Sequence, residues 1–260
     1  DLTRSGKAAD PQIAAVVQVL RETRPDILLL TDFDWDYEGR ALSAFTALLA
    51  EAGLDYPHRF AARPNAGMAT DLDLNADGRQ NTADDAQGFG EFPGQGGMAI
   101  LSRHPIGPVI EYTDALWRDL PGHLMPPLPE DVTAARRLSS AAHWDATITV
   151  ANRPLHLLAM AATPPVFDGA EDLNGRRNHD ELAFWLNRLP DQAFVLAGNL
   201  NIDAQDSEGR PEALTRLMAR QHDLEARYGY NPEQKAQTVL SGLGFDRSKW
   251  AQPLAQLSGG

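Results

Sequence analysis

Apolar positions along the chain switch between a helical period and short unbroken runs, and the switches outline alternating helices and strands. Asp10-Pro11 sets a capping carboxylate before a proline at the first helical position, and Ile13, Val16, Val17 and Leu20 follow at helical spacing. Pro25 stops that helix, and Asp26 to Thr31 reads as a fully buried strand. A second helix is predicted over Arg40 to Ala52, with Gly53 as its stop. A long polar loop rich in Gly, Asn and Asp runs from Tyr56 to Gly97, followed by a short apolar strand from Met98 to Ser102.

Residues 114–135 form an irregular, proline-bearing excursion. Two strands, Ala142 to Val150 and Pro154 to Met160, are joined by a turn at Asn152. A second loop, 161–177, leads to a helix starting near Asn178 whose buried stripe is Leu182, Trp185, Leu186 and Leu189. Phe194 to Ala197 is again a buried strand, and a helix spans about Pro211 to Arg220. After Tyr228 the pattern weakens, and the Gly-Gly end is expected to fray. Trp117 and Trp185 fall at apolar spacing and belong to the core. No repeat, heptad run or linker divides the chain, so residues 1–260 are expected to form a single α/β domain.

Composition narrows the chemistry. A hydrophobic fraction of 43% and a charged fraction of 23% suit a globular chain with a sizeable core. No run of eighteen apolar residues provides a membrane span. The chain has no cysteine, which removes disulfides, thiolate metal sites and thiol nucleophiles together. Its formal charge is −13, from 23 basic against 36 acidic residues, so a phosphate backbone is repelled unless cations reverse the field. Extended nucleic-acid binding is therefore disfavoured, whereas a small phosphorylated ligand is compatible. A first residue of Asp1 fits a processed leader or a trimmed chain, and a secreted or periplasmic location is the expectation.

The sharpest local motif lies inside the first long loop. Asp73, Asn75, Asp77, Asn81 and Asp84 occupy positions 1, 3, 5, 9 and 12 of a calcium-type loop. Gly78 stands at position 6, and Arg79 would offer its carbonyl at position 7. A hard cation needs several oxygens from one short segment, and this spacing supplies them. The loop resembles those of dockerin and EF-hand proteins, with Asp84 in place of the usual glutamate. A structural Ca2+ ion is expected here; the alternative is an acidic solvated loop.

Four segments resemble a bacterial branch of the endonuclease/exonuclease/phosphatase family. They are Arg24 to Asp36, Gly88 to Ile106 with its Gly-Met-Ala-Ile-Leu-Ser-Arg-His-Pro-Ile run, Thr163 to Gly169 continuing from Asn174 to Glu181, and Gly198-Asn-Leu-Asn201. Their order and spacing match, and together they cover most of residues 10–205. The resemblance implies a four-layer α/β/β/α sandwich of two packed mixed sheets. It also implies hydrolysis of phosphodiesters or phosphomonoesters with Mg2+ or a similar divalent ion.

Carried over residue by residue, the resemblance puts the metal-binding glutamate at Asp32 and the water-orienting aspartate at Asn199. The phosphate-contacting asparagine is Asn201, and the histidine that follows a middle strand is Ala161. Three of these four positions are substituted. The family's N-terminal strand and its C-terminal Ser-Asp-His segment show no counterpart in the sequence, so either the chain is incomplete or these pieces have been lost. An amide does not act as a general base, and a methyl group moves no proton. The expectation is a catalytically impaired pseudoenzyme acting as a calcium-stabilised binding or structural subunit, with a protein partner or a larger assembly around it. The alternative is an active phosphoesterase in which Asp34, His104 or His143 substitutes.

Other residues have two readings each. Arg176, Arg177 and His179 sit beside a Gly-rich turn, where they would hold a phosphate or merely cap the helix next to Glu171 and Asp172. His143-Trp144-Asp145 has the look of a catalytic pair but more often forms a satisfied sheet arrangement, and His156 is expected to be structural. Asp32, Asp34 and Asp36 alternate past the first strand and would share one side, which suits a residual cation site.

Overall fold

The computed structural model of the protein describes residues 10–205 and 209–228. The chain divides into two compact units, Asp1–Leu214 and Thr215–Gly260. The first contains both sheets. Of the second, the described part is the later course of helix α5 (Glu212–Tyr228). The ends of the sequence, where the family's terminal strand and Ser-Asp-His segment are missed and where the Gly-Gly end is expected to fray, lie outside the described residues.

Helix α1 (Pro11–Thr23) begins where its cap predicts. Asp10 Oδ1 accepts from the backbone N–H groups of Gln12 at 2.8 Å and Ile13 at 3.4 Å. It leads into β1 (Ile27–Thr31), and helix α2 (Arg40–Glu51) follows. β2 (His58–Phe60) and β3 (Met98–Ser102) complete the first sheet, in the order β1-β3-β2, with both pairings antiparallel. The second sheet contains β4 (Ile106–Glu111), β5 (His143–Val150), β6 (Arg153–Ala161) and β7 (Phe194–Asn199) in the order β4-β5-β6-β7. β6 and β7 run parallel, joined by a crossover through α4 (Leu173–Leu186). The short helix α3 (Glu130–Ala135) belongs to the excursion before β5.

Alternation within the first sheet explains its unbroken apolar runs. Leu28, Leu30, Ala99 and Leu101 face a cluster with Leu20, Leu42, Phe45 and Leu49 from α1 and α2. Their neighbours Ile27, Leu29, Met98 and Ile100 face the opposite way, onto Trp144, Ala146, Ile148 and Leu157 of the second sheet. A strand covered on both faces needs apolar residues at every position. On the far side of the second sheet α4 brings Phe184 and Trp185 against Tyr112 and His143. The layers are therefore α/β/β/α. Trp117, Trp144 and Trp185 are fully buried, each large side chain contributing about 1.5–3 kcal/mol relative to exposure.

Several elements differ from their sequence expectation. β1 is half-buried along its length, and β7 is half-exposed, because each is an edge strand. The loop 56–97 contains β2 and a 3₁₀ turn at Ala83–Asp85. β4 is an unpredicted strand, interrupted by Gly107 and Pro108 and by an irregularity between Ile106 and Val109. Helix α4 starts at Leu173, five residues before the expected Asn178.

Candidate functional site

The family positions gather at strand ends. Asp32 follows the last residue of β1, Ala161 ends β6 and Asn199 ends β7. Ala161 and Asn199 are register partners across the parallel β6–β7 pair, so these two positions lie side by side. Asp32 is exposed and adopts a left-handed backbone (φ 56°). The turn beyond β7 is held tightly. Asn199 Oδ1 accepts the Asn201 backbone N–H at 3.2 Å, and the Asn201 amide donates to the Ala162 carbonyl at 2.7 Å. Gly198 (φ 147°) makes this possible, since a Cβ there would meet the Met160 carbonyl oxygen at 1.7 Å.

This donor set does not fit a magnesium ion held in the family's manner. Asp32 brings one carboxylate, Asn199 and Asn201 are amides already engaged by backbone groups, and Ala161 has no polar atom. Among the described residues no group of three or more His, Cys, Asp or Glu converges as a metal site would require. The expected carboxylate row past β1 also disperses. Asp34 Oδ1 accepts from Gly96 N at 3.0 Å, and both oxygens of Asp36 cap α2 through the N–H groups of Arg40 and Ala41 at 2.9 Å. These backbone donors outweigh desolvation and hold the Asp36 carboxyl below the usual range.

The expected phosphate pair separates as well. Arg176 donates to the carbonyls of Glu171 at 2.9 Å and Leu124 at 3.2 Å. Arg177 turns inward. It is buried, and its guanidinium donates to the carbonyls of Leu138, Gln87, Arg137 and Ser139. These bonds knit loops together and leave little of the guanidinium for an outside anion.

Arg177 belongs to a buried polar face of α4 that sequence periodicity does not reveal. Glu181, one turn on, accepts from Ser140 N at 2.6 Å, Ser140 Oγ at 2.8 Å and Thr163 N at 2.6 Å. Burial pushes its carboxyl upward, opposed by the Arg177 charge and these donors. Asn178 donates to the carbonyls of Thr163 and Leu200, both at 2.8 Å. Asp180 Oδ2 accepts from Trp117 Nε1 and Leu124 N, both at 2.6 Å, and its Oδ1 meets His179 Nδ1 at 2.9 Å. The polar run Arg177, Asn178, Asp180 and Glu181 is the only sequence signal, and an apolar-period search passes over it.

The histidines resolve into structural roles. His143 is buried, with Nε2 donating to the Glu181 carbonyl at 2.9 Å and Nδ1 accepting from Ser139 Oγ at 2.5 Å. That pattern belongs to a neutral ring, and burial lowers its pKa to about 4. His156 Nδ1 meets Asp145 Oδ1 at 2.7 Å and Nε2 meets Gln192 Oε1 at 2.6 Å. His104 follows Ser102, the register partner of Ile27, and so lies at the far end of the first sheet from Asp32.

The 73–84 loop is closed by its own side chains. Asp73, Asn75 and Asp77 wind around a shared turn: Asp77 N donates to Asp73 Oδ1 and Asn75 Oδ1, both at 3.2 Å, Gly78 N to Asp73 Oδ2 at 2.9 Å and Arg79 N to Asp77 Oδ1 at 2.8 Å. Asn81 takes a left-handed backbone (φ 63°), and Asp84 is exposed at the 3₁₀ turn. The neighbour Asp85 is buried beneath the loop. It accepts from Leu74 N at 2.8 Å, Thr82 N at 3.0 Å and Thr82 Oγ1 at 2.7 Å. Arg136, donating to the Leu74 carbonyl at 2.9 Å, adds charge from the same side, and burial brings its own pKa down to about 9.

A model of the endonuclease/exonuclease/phosphatase family matches residues 3–255. The chain belongs to the endonuclease/exonuclease/phosphatase family. No curated protein matches it. Solved structures similar to it include an endonuclease/exonuclease/phosphatase family protein from Leptotrichia buccalis, at 15% identity and TM-score 0.46, with 82% of this chain and 70% of that chain covered. A sphingomyelinase C from Streptomyces griseocarneus matches at 15% identity and TM-score 0.39, covering 78% and 62%. A beta toxin double mutant from Staphylococcus aureus with bound magnesium ions matches at 10% identity and TM-score 0.44, covering 80% and 61%. The first solved structures it matches are longer, and the chain spans 60%, 62% and 64% of their lengths. No helix among the described residues is long and apolar enough to cross a membrane.

Proposed function

We propose that this family member is catalytically impaired and acts as a binding or structural component, with a calcium ion fastening the 73–84 loop. The observation that carries the reading is the pairing of Ala161 with Asn199 at the ends of β6 and β7. A methyl and an amide stand together where the family resemblance puts a histidine and an aspartate. Removing a general base or a key electrostatic group lowers turnover by on the order of a hundred- to a thousandfold each, and here two such groups are missing together.

The substitutes considered for an active hydrolase have little support. His143 is buried and neutral, His104 lies at the wrong end of its sheet, and one oxygen of Asp34 is committed to Gly96 N. The calcium reading is supported by the shared turn of Asp73, Asn75 and Asp77. A secreted or periplasmic setting, where calcium is plentiful, and a protein partner or small phosphorylated ligand accord with it.

The test is hydrolysis of bis-p-nitrophenyl phosphate by the purified chain with magnesium, manganese or calcium. No metal-dependent turnover is expected. Robust turnover that disappears in Asp32→Ala would defeat the proposal.

A further inference from the structure

One cleft begins immediately past Asp32, and its wall is aromatic. Trp35, Tyr37, Phe92 and Pro93 line it together with Arg40 and Arg63, and it is an open cleft of about 900 Å³, a volume comparable with small-ligand sites (roughly 300–1,000 Å³). Tyr37 is 91% exposed yet stands edge-on to Trp35, with ring centroids 6.4 Å apart. An aromatic ring left in water beside a second ring offers stacking area that nothing in the fold uses.

The wall is built rather than draped. Trp35 N donates to the Gly94 carbonyl at 2.8 Å, Phe33 N to the Gly97 carbonyl at 3.0 Å, and Gly96 N to Asp34 Oδ1 at 3.0 Å. Phe92 is seated from behind, because its carbonyl oxygen occupies the place a Cβ would take at Gly67, 1.9 Å away. Segments 33–35, 66–67 and 92–97 therefore hold the backbone beneath Trp35 and Phe92 before any ligand arrives, which lowers the entropy cost of binding.

The charges around the rings are unequally engaged. Asp36 is consumed by the α2 N-terminus, Asp34 holds Gly96, and Glu38 is ion-paired with Arg40. Arg63 is exposed and, among the described residues, has no hydrogen-bond or ion-pair partner. A free guanidinium beside the open face of an exposed ring suits a flat ring carrying an anionic group. The overall charge of −13 disfavours a long polyanion more than a small one.

We propose that this cleft binds a small phosphate monoester bearing a planar aromatic ring, with the ring stacked on Tyr37 and the phosphate on Arg63. The assignment rests on the reading of a fold that holds a phosphorylated ligand without cleaving it. Adenosine 5′-monophosphate, adenosine and inorganic phosphate, titrated separately into the full chain by calorimetry, are the probes. The monophosphate should bind at least tenfold more tightly than either fragment. Tyr37→Ala should weaken it about tenfold through lost stacking, and Arg63→Gln by a similar factor. Both side chains are exposed, and unchanged melting temperatures would show that the variants fold.

Binding of the monophosphate no tighter than that of its fragments, or equal binding by the parent and both variants, overturns the proposal. Phosphate released from the monophosphate in the same samples would sink the no-turnover reading while leaving the ligand assignment in place.

Discussion

Helix α4 and the ends of β6 and β7 both lie within segments that resemble the family, but their polar groups are treated differently. On α4, Arg177, Asn178, Asp180 and Glu181 are buried and tie down the loops near 87, 124, 138–140, 163 and 200. At the strand ends, Asp32 and Asn199 are exposed, Ala161 is half-buried, and Asp32 alone carries charge. The buried polarity of α4 serves architecture, whereas the side chains at the strand ends are largely left to solvent.

The contrast is broken most directly at Glu181. Glu181→Ala removes the carboxylate whose charge the buried Arg177 feels and orphans two backbone donors, Ser140 N and Thr163 N, so a loss of about 3–5 kcal/mol in urea unfolding is expected. A loss no larger than that of an exposed substitution would show that α4 does not carry the loops. Trp117→Phe removes one donor to Asp180 and should cost about 1–3 kcal/mol by the same measurement. By contrast, Asn199→Ala should change stability by less than either, since its side chain is exposed and accepts one local bond.

Calcium sharpens the comparison from a third region. If the 73–84 loop binds the ion, calcium at a hundred times its dissociation constant stabilises the fold by about 2.7 kcal/mol. The melting temperature should rise accordingly, and Asp73→Ala should abolish the rise. An unmoved melting temperature, with no heat on titration, removes the ion from the account.

The smallest effect concerns His156. Burial disfavours its charge, but Asp145 and Gln192 outweigh that and raise its pKa above 6.5. A group with a raised folded pKa stabilises below its unfolded value, and that stability is lost as pH climbs through the folded value. Urea midpoints should therefore fall slightly from pH 6 to above neutrality, and Asp145→Asn should flatten the profile. A midpoint that rises over this range contradicts the ion pair.

Where local chemistry decides the structure, the sequence is readable. Asp10 caps α1, the double-sided burial of β3 shows in Met98 to Ser102, and Asn152 turns at φ 62°. β2 is three residues without alternation, and Gly107-Pro108 disguises β4, so both depend on partners distant in the chain. The early start of α4 is hidden because its buried face is polar and looks like a loop. Of the site, the pairing of Ala161 with Asn199 follows from the resemblance, whereas the cleft at Trp35, Tyr37 and Arg63 requires loops that only the fold brings together.

Asp85 gives the acidic loop an unusual mechanical character. Its carboxylate grips Leu74 near one end and Thr82 near the other from the interior side. The outer arc between them is a handle fixed at both roots, so stripping an ion from the arc would slacken the rim without unhooking the base.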